Sequence, residues 1–360
     1  MSKSRQRLII KNAIKANPIG KKLRDLWQMR GFTKIRAEKA YDEFCKLNKN
    51  ICLGGDKNVI VKDMLVEARK YRFSFEEYFM YHFYNMSLNE RRTYVSDRER
   101  ITYCERMNDM RNMIIFDDKA KTYEVYGKYY KRDLIEIFEN NSQEEKEFSN
   151  FILKHPRFIV KPFDGACGVG IKIVDARKEK SKLLLEQLLI EYKRGFVAEE
   201  LIVQTGLLHD IHPQSVNTLR VPTIKYVNRT EIIHPILRVG RGDSVVDNGG
   251  AGGICCAIDV ETGIVKSAAD ESGKYYRIHP DSKIELVGLQ IPQWKEAKEL
   301  AMELSEILPD NHYTGWDLAL TDNGWVLQEA NDRGTFILFQ ITDRKGFKPE
   351  IERIVQELGV

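Results

Sequence analysis

Nowhere in its 360 residues does the chain run about 18 apolar residues without a charge, roughly the length a membrane-spanning helix needs. The opening MSKSRQRLIIKNAIKANPIG is basic but lacks the apolar stretch of a signal peptide. Both absences predict a protein that is neither secreted nor membrane-spanning. Cysteine is sparse: Cys45, Cys52, Cys104, Cys167, Cys255 and Cys256 show no C-x-x-C spacing. No disulfide framework or zinc ribbon is therefore expected, a reducing cytoplasm fits, and adjacent Cys255 and Cys256 read as strand packing. Internal repeats and low-complexity linkers are missing too, so domain boundaries rest on changes in texture alone.

A composition of 42% hydrophobic and 31% charged residues predicts a folded chain with a sizeable core. The net charge of +4 is small, and no nucleic acid partner is expected. The first 40 residues nevertheless hold twelve Lys or Arg against Asp25 and Glu38. That local basicity suits a solvated helical face, or a peripheral contact with the inner membrane face or with polysaccharide machinery.

Residues 58 to 85 favour helix and are crowded with Tyr71, Phe73, Phe75, Tyr78, Phe79, Tyr81, Phe83 and Tyr84, a density that suits core packing or an interdomain seam. A further helix is announced by the capping-box spacing of Ser96 and Glu99. Residues 1–109 thus read as a mostly helical region. Beyond about residue 110, β-rich runs at 157 to 162, 170 to 174, 196 to 202, 219 to 226, 231 to 239, 253 to 260, 315 to 321 and 324 to 330 alternate with amphipathic helices near 143 to 154, 180 to 193 and 294 to 307. The expected class is α+β.

Two segments carry most of the chemistry. In RFIVKPFDGACGVGIKIV a strand delivers Lys161, and a loop with Gly165, Gly168 and Gly170 leads into another strand. Glycines let backbone N–H groups approach an anion while the lysine supplies full positive charge, so a triphosphate is the natural guest. Ile171 stands where a Walker A lysine would be, and a strand follows where that motif needs a helix.

The second segment, YTGWDLALTDNGWVLQEANDRG, reads as two strands joined at Asp322, Asn323 and Gly324. If those three form the loop, with glycine left-handed, Asp317 stands opposite Glu329, whereas a two-residue Asn-Gly turn would place them on opposite faces. Opposed carboxylates repel unless something positive lies between them. With Asn331 on the same face, the oxygen donors suit magnesium held partly by substrate phosphates. An exposed hairpin with solvated acids is the bland alternative.

Between these lie Asn217 and Arg220 in SVNTLRVP, Arg238 and Arg241 in PILRVGRGD, and Asn248, Gly249 and Gly250 in NGGAGG. Arginines facing one cavity can brace phosphate or carboxylate. The glycine loop, poor in side chains, suits a lid unless it is a plain turn.

Taken in order, KPFDGACGVG, VAEELI, SVNTLRV, NGGAGG, GWDLAL and LQEAN resemble the ATP-grasp superfamily. NTLRVPT, the glycine loop and EANDRG are most similar to the sugar-transfer-associated ATP-grasp proteins of bacterial surface polysaccharide pathways. The resemblance covers about residues 110 to 340 and implies two α+β lobes sandwiching ATP. Residues 110–345 would form the ATP-grasp domain, with about 110–200 covering the nucleotide, 201–345 carrying metal and substrate, and 346–360 forming a C-terminal helix. Residue by residue it implies Lys161 and Lys119 (or Lys121) at phosphate; Glu199, Glu200, Leu201 and Ile202 as the adenine hinge; Glu199, Glu200 or Gln204 at the ribose; and Asp317, Glu329 and Asn331 at Mg2+. Arg220 and Arg238 fall near the transferred phosphate or acyl substrate.

The implied activity is a Mg-ATP-dependent carboxylate-amine ligase working through an acylphosphate, joining an amino acid or other amine to a uronic sugar or polysaccharide carboxylate in capsule biosynthesis. The rivals are a phosphotransferase, for which His209, His212, His234 and His279 are available carriers, and a nucleotide-binding scaffold without turnover.

Overall fold

The computed structural model describes residues 31–48, 53, 55–163 and 170–360. The first 30 residues of the basic segment, together with Gly165 and Gly168, lie outside the described residues. Among the described residues, no helix is long and apolar enough to cross a membrane.

Two antiparallel sheets organise the chain. The smaller joins β1 (Leu134–Ile137), β2 (Arg157–Pro162), β3 (Lys172–Asp175) and β4 (Phe196–Glu200) in the order β1-β4-β2-β3. Alternation along its strands decides its two faces. Phe158, Val160, Phe196 and Ala198 point into a core with Phe148 and Phe151 of helix Ser142–Lys154 and Leu185 and Leu188 of helix Ser181–Glu191. The intervening Lys161 and Glu199 are thereby turned to the opposite face.

The larger sheet comprises β5 (Leu219–Lys225), β6 (Thr230–Ile232), β7 (Ile236–Val239), β8 (Ile254–Ile258), β9 (Val265–Asp270), β10 (Tyr313–Thr321) and β11 (Gly324–Asn331). Its order is β11-β10-β5-β7-β8-β9, with β6 also paired to β5. Leu219, Val221, Leu237, Cys256, Trp316, Leu318 and Leu327 pack beneath it with helices Lys119–Tyr130 and Trp294–Ser305. On the other face Ile224, Ile236, Cys255, Ala257 and Tyr313 meet helices Asp97–Met107, Ile337–Asp343 and Lys348–Leu358. Burying each such large apolar side chain contributes roughly 1.5–3 kcal/mol. Cys255 and Cys256 serve the two faces in turn, as strand packing requires.

The expected aromatic helix over 58 to 85 is in fact broken. Helix Lys57–Tyr71 ends at Arg72 in the left-handed conformation (φ 66°), and Ser74 with Glu77 forms a capping box that starts helix Phe75–Met80. The rings form a core of their own with Phe32 and Phe44, which docks on Ala269 of β9 and on Ile341. Ser96 does cap the next helix, its Oγ accepting from Glu99 N at 3.2 Å, but the Glu99 carboxylate takes Lys348 Nζ at 2.5 Å instead of closing the box. The run 231 to 239 splits into β6 and β7 around His234, whose φ of 43° no strand can hold. Strands β1 and β9 were not expected; both are short and flanked by charged residues.

Candidate functional site

The upper face of the large sheet, free of the helices at its β10–β11 end, carries a file of charged residues across adjacent strands. Asp317 of β10 pairs across the ladder with Glu329 on one side and with Arg220 of β5 on the other. Asn331 stands two residues beyond Glu329, opposite Gly315. Arg238 of β7 faces Cys255 of β8 and continues the file.

Asp317 and Glu329 are opposed as the strand reading required, but by a different route. Thr321 pairs with Gly324 around a two-residue turn, Asp322 and Asn323, with Gly324 left-handed at φ 79°. That register alone would set Asp317 against Gln328. A β-bulge between Leu318–Leu327 and Asp317–Glu329 inserts Gln328 and restores the pairing. Leu327 therefore points into the core beneath the sheet while Glu329, two residues on, points to the site face.

Asp317 is only 1% exposed. Arg220 grips it with both Nε and Nη2, the latter 2.8 Å from Oδ2, and Arg238 Nη2 lies 3.0 Å from the same oxygen. Burial alone would raise its carboxyl, but the two guanidiniums outweigh that and hold it below the ordinary value. Arg238 is fixed in turn by Thr218 Oγ1 at 2.6 and 2.9 Å and by Asp247 at 3.5 Å. Burial pushes the Asp247 carboxyl up, with Arg238 opposing. Glu329, by contrast, is exposed and makes no side-chain hydrogen bond or ion pair among the described residues, and Asn331 Nδ2 is buried without a partner.

On the small sheet, Lys161 and Arg132 both pair with Glu199, Arg132 Nε at 2.5 Å from Oε1. Glu199 is 2% exposed; burial would raise it, yet these two cations hold it at about 2. Glu200 turns to the other face, where its carboxylate accepts from Asp133 N at 3.0 Å and lies 3.8 Å from His155 Nδ1. His155 also meets Asp133 at 2.8 Å, and the Lys154 ammonium occupies the same Asp133 oxygen. Of the two glutamates expected at the hinge it is thus Glu199 that shares a face with Lys161. Leu201 and Ile202 follow the last residue of β4 and belong to neither ladder, and their backbone groups have no backbone partner among the described residues.

Several expected contacts are spent on the fold. Gln204, expected at the ribose, gives Nε2 to Asn217 O and accepts from Asn217 N, both at 2.8 Å. Asn217, expected at substrate, is fully buried; its Nδ2 binds Leu208 O at 2.6 Å and its Oδ1 accepts from Gly240 N at 3.0 Å. Arg241 pairs with Asp270 at 3.3 Å and with the Tyr276 hydroxyl. The glycine loop is a folded turn: Asn248 caps a 3-10 turn over Gly249–Ala251, and its carbonyl accepts from Gly253 N at 3.0 Å. A Cβ on Gly249 would lie 2.1 Å from Glu271 Oε1, so any larger residue there would have to displace the Glu271 side chain. Lys119 opens its helix behind the Asp118 cap, and neither it nor Lys121 has a side-chain partner among the described residues. Gly170, left-handed at φ 76°, gives its carbonyl to the Tyr192 hydroxyl at 2.8 Å.

Three of the four candidate carrier histidines are likewise engaged, while His209, half-buried, has no side-chain partner among the described residues. His212 bonds Ser215 and the Gly242 carbonyl, each at 2.9 Å. His279 bonds the Gly240 carbonyl at 2.8 Å. His234 lies between Asp343 and Glu350 at 3.3 and 3.1 Å.

Sequence reasoning passed over Arg132, Thr218, Asp247 and Glu271. Arg132 sits in a plain KRD tripeptide with no motif around it, and Asp247 is one acid beside a glycine run.

Two antiparallel sheets, with a lysine–glutamate pair on one and a carboxylate–arginine file on the other, define the ATP-grasp class. The chain matches the sugar-transfer associated ATP-grasp family over residues 98–356 and belongs to that family. Among solved structures it is similar to the D-alanine-D-alanine ligase of Helicobacter pylori, with 15% identity and a TM-score of 0.44 over 70% of this chain and 64% of that one. It is also similar to the corresponding ligase of Bacillus anthracis, with 16% identity and a TM-score of 0.42 over 70% and 69%. A third is the ATP-grasp ligase PsnB complexed with minimal precursor, Mg and ADP, with 14% identity and a TM-score of 0.41 over 71% and 62%. The chain spans less than two thirds of the length of the Helicobacter ligase and of PsnB. No curated protein matches it.

Proposed function

We propose that this protein is a magnesium- and ATP-dependent ligase that activates a carboxylate as an acylphosphate and transfers the acyl group to an amine. The observation that carries this reading is the cross-strand file of Glu329, Asp317, Arg220 and Arg238, with Asn331 beside it. It joins hard oxygen donors and guanidiniums on one face, the combination phosphoryl transfer from ATP needs.

The donor set fits a magnesium site on its own terms. Glu329 is unpaired, and the partnerless nitrogen of Asn331 marks a side-chain amide whose polar valence the fold leaves unused; amide orientation is set by its surroundings, so a cation would draw the oxygen inward. Magnesium held there with substrate phosphates would neutralise charge on the γ-phosphoryl group.

The chain's own residues do the rest. Lys161, 13% exposed at its side chain, supplies positive charge to the phosphates from the small-sheet side. Arg220 and Arg238 brace the γ-phosphoryl oxygens as charge moves onto them, a role that a cation held by Asp317 would leave open to them. A substrate carboxylate oxygen attacks the γ-phosphorus in line and ADP leaves. The amine nitrogen then attacks the acyl carbon, phosphate departs and the nitrogen loses a proton, giving an amide. No covalent bond to the enzyme forms, so engaged histidines are no obstacle.

Lys119 or Lys121, at the start of their helix, is assigned to the phosphates, and the Leu201–Ile202 edge to adenine. The family's association with sugar transfer supports a uronic sugar or polysaccharide carboxylate, and an amino acid or similar amine, as substrates in surface polysaccharide assembly. The test is ADP and phosphate release across a matrix of uronic acids and amines. Release that needs both partners establishes a ligase; release with a hydroxyl compound alone overturns the reading in favour of a kinase.

A further inference from the structure

Arg132 is buried and takes no part in the proposed chemistry, yet it makes more contacts with the site's framework than any residue in the file. Its Nε holds Glu199 Oε1 at 2.5 Å. Its Nη1 donates to Leu327 O at 2.5 Å and to Tyr130 O at 3.2 Å, and its Nη2 donates to Gln328 O at 3.2 Å. The guanidinium plane lies over the Tyr130 ring, 4.5 Å from its centroid.

Leu327 and Gln328 are the residues at the bulge. Successive carbonyls of a regular strand point to opposite edges, so one guanidinium fork can take both only where the strand is bulged. β11 is also the edge strand of the large sheet, so among the described residues no further strand takes these acceptors. A buried carbonyl left without a donor costs about 1–3 kcal/mol, and the bulge would be expelled to recover it. Slipping β11 by the one residue of the bulge moves Glu329 from the site face to the core face.

We infer that Arg132 is a positioning residue: by bonding the Leu327 and Gln328 carbonyls while pinned by Glu199, it holds the bulge that sets Glu329 beside Asp317. The inference rests on the ligase reading in taking Glu329 for a metal ligand. Its structural half, that the bulge depends on Arg132, stands on the geometry alone. The chain of contacts Lys161–Glu199–Arg132–Gln328 also joins the two sheets, so the phosphate lysine and the metal carboxylate share one rigid support.

The test uses the full chain and the variants Arg132→Met, Arg132→Lys and Arg132→Met/Glu199→Gln. The last keeps the charge balance should the single variant fold poorly. Hydrogen exchange is followed in the 325–331 segment and in β5, and Mn2+ binding to the ATP complex is followed by paramagnetic resonance, with ATP binding in EDTA as reference. Loss of protection confined to 325–331 is expected in all three variants, together with, in the two single variants, a fall in Mn2+ affinity of at least about tenfold and ATP affinity in EDTA within about threefold of the parent. Lysine can keep the Glu199 pair but cannot span two carbonyls, so Arg132→Lys should fail like methionine. Parent-like exchange at 325–331 in a folded variant overturns the inference, as does rescue by lysine. If the parent protein binds no Mn2+ with ATP, the ligase reading falls, and the exchange measurement alone decides the role of Arg132.

Discussion

Each of the two sheets holds one buried carboxylate between two cations, yet the two arrangements do different things. Glu199 in the small sheet faces Lys161 and Arg132, and Asp317 in the large sheet faces Arg220 and Arg238. Around Glu199 one acid meets two cations, and Arg132 is further consumed by three backbone carbonyls. That group is a strut. Around Asp317 a second carboxylate, Glu329, stands opposite and unpaired, so the cations there have somewhere to go when a ligand arrives. The same pairing is static where its hydrogen bonds are spent and exchangeable where a donor or acceptor is left over.

The sharpest break in the comparison is Glu329→Gln. Glu329 is exposed and unpaired, so the variant should melt as the parent does while ADP release falls at least roughly a hundredfold. Activity near that of the parent would remove Glu329 from the metal site.

Next in size, Asp317→Asn strips a buried partner from two guanidiniums and should cost about 3–5 kcal/mol in denaturant unfolding. Lys161→Met leaves Glu199 still held by Arg132 and should cost only about 1 kcal/mol, while weakening ATP binding tenfold or more by calorimetry. Equal losses of stability in the two variants would erase the distinction between strut and exchangeable pair.

Acid titration probes the strut directly. The Glu199 carboxyl is held at about 2 against an ordinary 4.5. A depressed folded value means that its stabilisation is complete above pH 4.5 and is lost as pH falls toward 2, a change of about 3 kcal/mol at most. Glu199→Gln should flatten the stability curve across that window, and an unchanged slope would contradict the assignment.

The smallest effect on activity lies away from both sheets' charged faces. Burial would lower the His234 imidazole, but Asp343 and Glu350 outweigh that and raise it from 6.5 to about 9. A raised folded value gives stabilisation that is full below pH 6.5 and lost as pH rises through 9, amounting to roughly 2–3 kcal/mol. His234→Gln should remove that alkaline decline and leave ADP release at the parent rate at pH 7.

Much of this was legible in the chain. Asp317 and Arg220 fall on one sheet face because they are ladder partners on adjacent strands, although both strands are buried on both faces and show no alternation of burial. Lys161 was readable as a strand lysine, but which of Glu199 and Glu200 shares its face was settled only by the ladder. The aromatic run from Tyr71 to Tyr84 was readable as core but not as a single helix, because the Ser74 and Glu77 capping box competes locally with continued winding. Asn217 and Gln204 misled: polar residues beside a motif look available, and only the packed loop shows that they bond each other. The glycine loop misled in the same way, since its order comes from Asn248 and from the Glu271 side chain pressed against Gly249.

By itself, then, the sequence determined which residues are hard oxygen donors, which carry permanent positive charge, and which of them alternate along one strand, because side-chain chemistry and a two-residue period are local properties. Only the tertiary structure decided that Asp317 is gripped by both arginines and that Glu329 reaches the same face through a bulge at Gln328. It alone supplied the donor for that bulge, Arg132, from nearly two hundred residues earlier in the chain. Register and hydrogen-bond satisfaction are properties of the assembled sheets: a carbonyl left open by one strand is closed by whichever side chain the fold brings to it.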